Sequence, residues 1–473
     1  MSSSPLLENG ASDAPVKRNS WAYAIVDEVG LVTLFKSSWD VHLLIFMRFA
    51  RLFAFGQASI FLALFFKELG IDESKTGLFM SATLIGDVLI SYFLTLYADR
   101  IGRKKTLCIG AIMMVFSGIV FSLSGNFYLL LFAAIVGVIS PSGNEIGPFR
   151  AIEESTLAHL VPLDHRPDIY AWYAVLGALG ASFGSMAGGY TVELTHDKYG
   201  FTLLESYKLI FVVYSIIGFV KLVATLLLTK RTESEVEDRP DAAATETSPL
   251  LQDPSTEVAE PVKPKQSKFS YLLHKVLPEL SHESRGIVLQ LSVLFALDAF
   301  ASSLTTVSWI SYYVAQKFDL KQGLLGSVFF TTGLISAFAS LGGSSISKRL
   351  GPLLTMVVTH LPSSTILALI PIPSSFHATM ALLVIRSCTA TMDVAPRQAF
   401  LSMVVLKRER TAVMGWINIV KTLAQVCGPS MTGALTKINK QWICFLAAGS
   451  LKVIYDLGIL GTFLKIKYDR EHD

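Results

Sequence analysis

The nine residues 97–105, "YADRIGRKK", decide the reading of this chain. Asp99 and Arg100 close one apolar run, Gly102 permits a tight turn, and Arg103, Lys104 and Lys105 precede the next apolar run. The flanking runs lie at about 76–97 and 106–124. Each matches the ~20 residues of helix that cross an apolar bilayer core. The stretch is therefore a short basic hairpin between two spans, and positive charge holds such hairpins on the cytosolic side.

Outward from this turn the same pattern repeats. The chain is 52% hydrophobic and only 16% charged, against roughly 25% charged in soluble domains. Further runs of spanning length lie at about 41–66, 127–155, 170–192 and 207–229. Six more lie at 287–315, 322–346, 353–372, 378–403, 411–434 and 441–465. The reading is an all-α integral membrane protein of twelve spans. Residues 1–40 form a polar tail, 41–229 a first six-helix bundle, 230–285 a linker, 286–465 a second bundle and 466–473 a short tail. The linker is acidic and rich in Pro, Ala, Ser and Thr, a composition that cannot bury enough apolar surface to order itself. Basic residues cluster with the tails, the linker and the loops on their side, as at Lys348, Arg349, Lys407 and Arg408. Both tails are thus expected in the cytosol. The four cysteines, Cys108, Cys388, Cys427 and Cys444, sit in apolar segments without metal-ligand spacing and read as buried, inert thiols.

The two bundles resemble each other. Trp172 and Trp416, Gly184 and Gly428, and Arg166 and Arg410 all pair at one offset, 244 residues. "ADRIGRKKTL" (98–107) has a weaker copy in "SKRLGPLLTM" (347–356), and Arg51 can be set against Asp298. Repeated halves with a site between them mark secondary transporters.

Residues 97–105 resemble the signature between helices 2 and 3 of the major facilitator superfamily, with Thr95 at the usual leading Gly and Ser347 at the acidic place of the second copy. That resemblance implies two pseudo-symmetric six-helix bundles that alternate access to a central cavity. It also assigns Asp99, Arg100, Gly102 and Arg103 to gating. A second stretch, "GASFGSMAGG" (180–189), places Gly180, Gly184 and Gly188, with Gly189 beside them, on a helix face that lets another helix approach closely. It resembles the helix 5 signature of the drug:proton antiporters of that superfamily, with Ser185 at the usual Pro. There the face packs against helix 8. The implied activity is export of a small molecule driven by a proton gradient, with no other cofactor and no bound metal. Uptake or facilitated passage of a charged metabolite is the alternative, and a non-transporting sensor is the rival of another class. Nothing in the sequence resembles an enzyme's nucleophile, nucleotide loop or nucleic-acid surface.

A charge at the bilayer centre costs about 2.5–3.5 kcal/mol on insertion scales, so the charges inside spans must face a cavity or each other. Arg48, Arg51, Asp87, Glu145, Asp298, Arg386 and Lys421 are the candidates for the substrate and proton pathway, Glu145 and Asp298 foremost for the proton. Arg51 and Asp298 each lie about 15 Å deep at 1.5 Å per residue, placed to face each other. Arg150 with Glu153 or Glu154, and Asp393 with Arg397, have helical spacing and read as gates or braces near the cytosolic ends. Lys452 and Asp456 are further charges within a span. Glu246, Leu250 and Leu251 in the linker have acidic–dileucine spacing, the pattern of sorting adaptors, which points to a plasma or vacuolar membrane. The bilayer, a small-molecule substrate and no obligate subunit complete the expected partners.

Overall fold

The computed structural model describes residues 30–137, 139, 148–233, 282–405 and 409–470. Among them the regular structure is helical: α1 (Leu31–Lys36), α2 (Trp39–Glu68), α3 (Glu73–Ile101), α4 (Arg103–Leu123), α5 (Phe127–Gly137), α6 (Pro148–Leu160), α7 (Arg166–Asp197) and α8 (Leu203–Leu226) form the first half. The second half comprises α9 (His282–Leu304), α10 (Val307–Phe318), α11 (Gln322–Leu350), α12 (Pro352–Leu369), α13 (Phe376–Ser387), α14 (Val394–Val404), α15 (Arg410–Lys437) and α16 (Trp442–Arg470). By length and composition eight stretches suit a membrane crossing. The other four expected spans fall on α3, on α15 and on the broken pairs α5/α6 and α13/α14. The tail before residue 30 and most of the linker, with Glu246, Leu250 and Leu251, lie outside the described residues, as does Glu145.

Local rules set the helix ends. Thr202 and Glu205 cap α8 reciprocally: Thr202 Oγ1 accepts from Glu205 N at 3.2 Å, and Thr202 N donates to Glu205 Oε2 at 2.8 Å. The two basic hairpins turn at Gly102 (φ 97°) and Gly351 (φ 78°), where a side chain would be strained. At the first hairpin Arg103 N and Lys104 N, the start of α4, donate to the carboxylate of Glu233 at 2.9 and 3.2 Å. A negative group there complements the helix dipole. Asp99 and Arg100 continue the backbone of α3; their side chains are not described.

The repeat seen in the sequence is a repeat of packing. In the first half α2 packs on α7, α4 on α8 and α2 on α8; in the second α9 packs on α15, α12 on α16 and α9 on α16. Arg166 and Arg410 perform one job: each guanidinium donates to the carbonyl eight residues earlier, Ala158 and Ser402, themselves 244 apart. Gly184 lies against the backbone of Phe53 and Gly428 against Ser303. That contact sets Arg48, not Arg51, at the place equivalent to Asp298.

Small residues decide which helices touch. Gly180, Gly184 and Gly188 face Phe49, Phe53 and Gln57 of α2, within their own half. Only Gly189 faces α11, where an added Cβ would meet Gln322 O at 2.5 Å. The expected approach of this face to helix 8 is thus corrected for three of its four glycines. Of the cysteines, all four are free, Cys444 is buried, and Cys388 and Cys427 are exposed, which corrects their expected burial.

The halves meet at the end remote from the chain ends. Ser308 and Ser311 hydroxyls donate to Ser59 O and Ile60 O, both at 2.6 Å, and Tyr312 to Glu73 Oε1 at 2.8 Å. Ser430 and Ser81 pair at 2.7 Å, Gly323 N donates to Glu193 at 2.8 Å, and Lys321 pairs with Asp197 at 3.0 Å. All of these lie in the far part of the bundle. One buried apolar cluster there is shared by both halves, with Phe61, Phe66 and Phe79 beside Leu304, Trp309 and Val314. Nearer the chain ends the apolar core divides into two clusters, one per half. Among the described residues, the apolar core is shared at the far end and divided near the chain ends.

Candidate functional site

Each half holds a buried carboxylate between cations from two other helices. In the first half the carboxylate is Glu153 of α6, fully buried. Arg51 of α2 donates to its Oε2 at 2.7 Å, Lys221 of α8 lies 3.2 Å from Oε1, and the Tyr173 hydroxyl of α7 donates to Oε2 at 2.6 Å. Arg48 lies over the Tyr173 ring, 4.6 Å from its centroid. Asp87 is also buried in this half.

In the second half the carboxylate is Asp298 of α9. Lys452 of α16 donates to its Oδ1 at 2.6 Å and to Ser302 Oγ at 2.7 Å. Arg397 of α14 donates to Oδ2 at 3.0 Å and is also paired with Asp393, one turn earlier. Behind them His360 of α12 places Nδ1 2.8 and 3.0 Å from the two oxygens of Asp456. Its Nε2 lies 3.9 Å from Asp298 Oδ1. Burial makes such pairing obligatory, because an isolated charge in a low dielectric is far more costly than a hydrogen-bonded pair.

Arg150 bonds Glu154 at 2.7 Å, as helical spacing allows, and that pair is largely exposed. Glu153, on another face of the same helix, turns inward to Arg51 and Lys221, which corrects its reading as a partner of Arg150. Asp393 and Arg397 do pair. Arg51 and Asp298 each find their ion pairs within their own half, so the expected meeting of these two across a cavity is replaced by two separate clusters. Lys421 is half-buried with its ammonium 5.8 Å from the Phe295 ring centroid. Arg386 ends α13, beside the break that precedes α14.

Lys221, Tyr173 and His360 were missed in the sequence. Lys221 interrupts "GFVKLVATL" and His360 interrupts "VVTHLPSS". The rule that picks out any ionisable group inside a span finds both.

Comparison with known proteins agrees with this architecture. The profile of the Major Facilitator Superfamily matches residues 44–429 and 291–472. The chain belongs to the major facilitator superfamily and is a membrane transporter. It is 38% identical over 437 residues to the uncharacterized membrane protein YJR124C of Saccharomyces cerevisiae, covering 91% of this chain and 95% of that one. It is 26% identical over 135 residues to the quinolone resistance protein NorA of Staphylococcus aureus, 28% of this chain and 34% of that one. Among solved structures it resembles a bacterial homologue of the human lysosomal transporter Spinster in an inward-facing, unoccupied conformation. That match has a TM-score of 0.64 at 13% identity and covers 90% of this chain and 98% of the other. It also resembles a D-xylose–proton symporter, with a TM-score of 0.66 at 12% identity and coverage of 89% and 96%. At such identities these structures speak to the fold.

Proposed function

We propose that this transporter exports a small molecule in exchange for protons by alternating access. The reading is carried by Asp298. It is buried, and its two cations come from different helices, Arg397 from α14 and Lys452 from α16. A carboxylate beside a cation stays ionised, and the same carboxylate deprived of it in a buried place takes up a proton. Helix movement that withdraws one cation therefore converts directly into proton binding. A core shared at the far end and divided near the chain ends fits one of the two states such a cycle requires. With both chain ends in the cytosol, that state opens to the cytosol.

Export is supported by the stretch of similarity to a quinolone resistance protein. Passage of an organic anion is the second reading; it is favoured by Lys421, half-buried near an aromatic ring beside the Asp298 cluster. A plasma or vacuolar membrane and recognition of Glu246, Leu250 and Leu251 by sorting adaptors belong to the same proposal, as does action as a monomer. The test is flux of a fluorescent quinolone, a cationic dye and a dicarboxylate in proteoliposomes with an imposed pH gradient. Accumulation that collapses with the gradient is the expected result, and its direction separates export from uptake. Flux that ignores the gradient refutes proton coupling.

A further inference from the structure

We infer that the transported proton is held by a relay of three residues, Asp298, His360 and Asp456, with no equivalent among the described residues of the other half. This rests on the proton coupling proposed above and names its site.

The argument is a comparison of the halves. At the offset of 244 residues that relates α7 to α15 and Ala158 to Ser402, Glu153 falls on Arg397. Gly218 packs against Met114 and Val115 of α4, and Gly449 against Ser364 and Ala368 of α12. That equates Gly218 with Gly449, and with them Lys221 with Lys452. The clamp recurs in form: Glu153 falls where Arg397 stands, while Arg51 lies three residues beyond Arg48, the counterpart of Asp298. One half has a carboxylate on α6 and an arginine on α2; the other has an arginine on α14 and a carboxylate on α9. Each has a lysine at the same place on its last helix.

Among the described residues, His360 and Asp456 have no such counterparts. The hairpin glycines, Gly102 and Gly351, align α4 with α12 and set His360 against Ala111. The lysine register sets Asp456 against Thr225, a neutral residue whose hydroxyl donates to Lys221 O at 2.8 Å and lies 3.1 Å from Met47 Sδ. A clamp present in both halves is explained by the need to neutralise buried charge. A buried imidazole between two carboxylates in one half needs another reason.

The geometry supplies it. Side-chain exposure is 16% at Arg397, 4% at Asp298, 6% at His360 and 0% at Asp456, so Arg397 is the more exposed end of the cluster and Asp456 the most buried. Lys421 lies near its Arg397 end. With its proton on Nδ1 a neutral His360 would donate to Asp456, 2.8 Å away, and leave Nε2 facing Asp298 at 3.9 Å. A proton arriving from the cavity by way of Asp298 binds Nε2, and a small side-chain rotation closes that gap. The imidazolium then lies between two carboxylates, with Ser364 Oγ at 3.3 Å from Nδ1 and Asp456, Tyr455 packed on the ring at 5.9 Å, and Lys452 still on Asp298. Asp298 now has a third cation. Arg397 keeps Asp393 as its partner on α14, so it is the cation that can leave. Loading the relay thus loosens α14 from α9, and unloading draws it back.

The test uses the full chain in lipid nanodiscs and the proton as probe. Infrared difference spectra are recorded between about pH 8 and pH 5, the range in which histidine changes charge. The wild type minus His360→Gln spectrum is expected to contain one titrating imidazole. Asp456→Asn, which keeps an acceptor at that place but removes the charge, is expected to change the imidazole bands of the difference spectrum. Wild type minus His360→Gln without a titrating imidazole, or imidazole bands unchanged in Asp456→Asn, overturns the relay. If His360→Gln does not fold, Asp456→Asn against wild type decides alone. Flux of the quinolone, dye or dicarboxylate separates this inference from the functional reading. Gradient-driven flux undiminished in His360→Gln overturns the relay and leaves proton coupling intact. Titration of His360 in a protein whose flux ignores the gradient supports the proton site and refutes the coupling.

Discussion

Replacing Asp298 by Asn tests the clamp most directly. The substitution keeps an oxygen that accepts a hydrogen bond and removes the charge. Lys452, buried at 7% exposure, is left with Ser302 Oγ at 2.7 Å. Arg397 keeps Asp393. Removing one partner of a buried pair costs about 3–5 kcal/mol, chiefly because the other charge is stranded. Only the lysine is stranded here, so the lower end applies, about 3 kcal/mol, or roughly a hundredfold in the folded-to-unfolded ratio at 1.4 kcal/mol per decade. The second variant, Asp298→Asn with Lys452→Met, removes both charges and is expected to recover to within about 1 kcal/mol of the wild type, since a buried pair and an apolar pair of similar volume are often equivalent. Thermal unfolding of the purified chain in lipid reads both, and gradient-driven flux is lost in both. A single variant as stable as the wild type, or a double variant no better than the single, refutes the clamp.

Three further outcomes follow from the packing. Gly189→Leu puts a side chain against Gln322 O and Gly326 and should part α7 from α11 at the far end. A cysteine at Ser430 should then react about tenfold faster with an impermeant thiol reagent added from that side, the ratio for a shift of 1.4 kcal/mol. Arg166→Ala and Arg410→Ala should each lower thermal stability by about 1.5–3 kcal/mol for the charged hydrogen bond to an equivalent carbonyl, and Arg166→Ala by more, because Arg166 Nε also donates to Val161 O at 3.0 Å. Asp72 stands in the far-end loop, where the Lys75 N–H and then the Lys437 ammonium lower its pKa below the ordinary carboxylate value. A lowered pKa means that the ion pair with Lys437, at 3.6 Å, is kept as pH falls to the ordinary carboxylate range and lost only as it passes through the lowered value. Reactivity of the Ser430 cysteine should accordingly be flat from about pH 8 to 5 after correction for thiol ionisation; a rise near pH 5 contradicts this.

Much of this architecture was legible without coordinates. Twelve apolar runs, a basic hairpin with its weaker copy, and one offset shared by Trp172, Gly184 and Arg166 were enough to identify a duplicated membrane bundle. The reason is physical: a bilayer demands helices of one length and a fixed side for positive charge, and both demands are written locally. The partners of the charges were not legible. Helical spacing tied Arg150 to both Glu153 and Glu154, and only the direction of α6 separates them, sending Glu154 to Arg150 and Glu153 to Arg51 and Lys221. Asp298 looked like a residue facing Arg51; packing gives it to Arg397 and Lys452. Spacing along one helix determines which residues share a face, whereas an ion pair between helices depends on the register of two surfaces far apart in the chain, and that register is set by where glycines such as Gly184 and Gly428 let backbones meet.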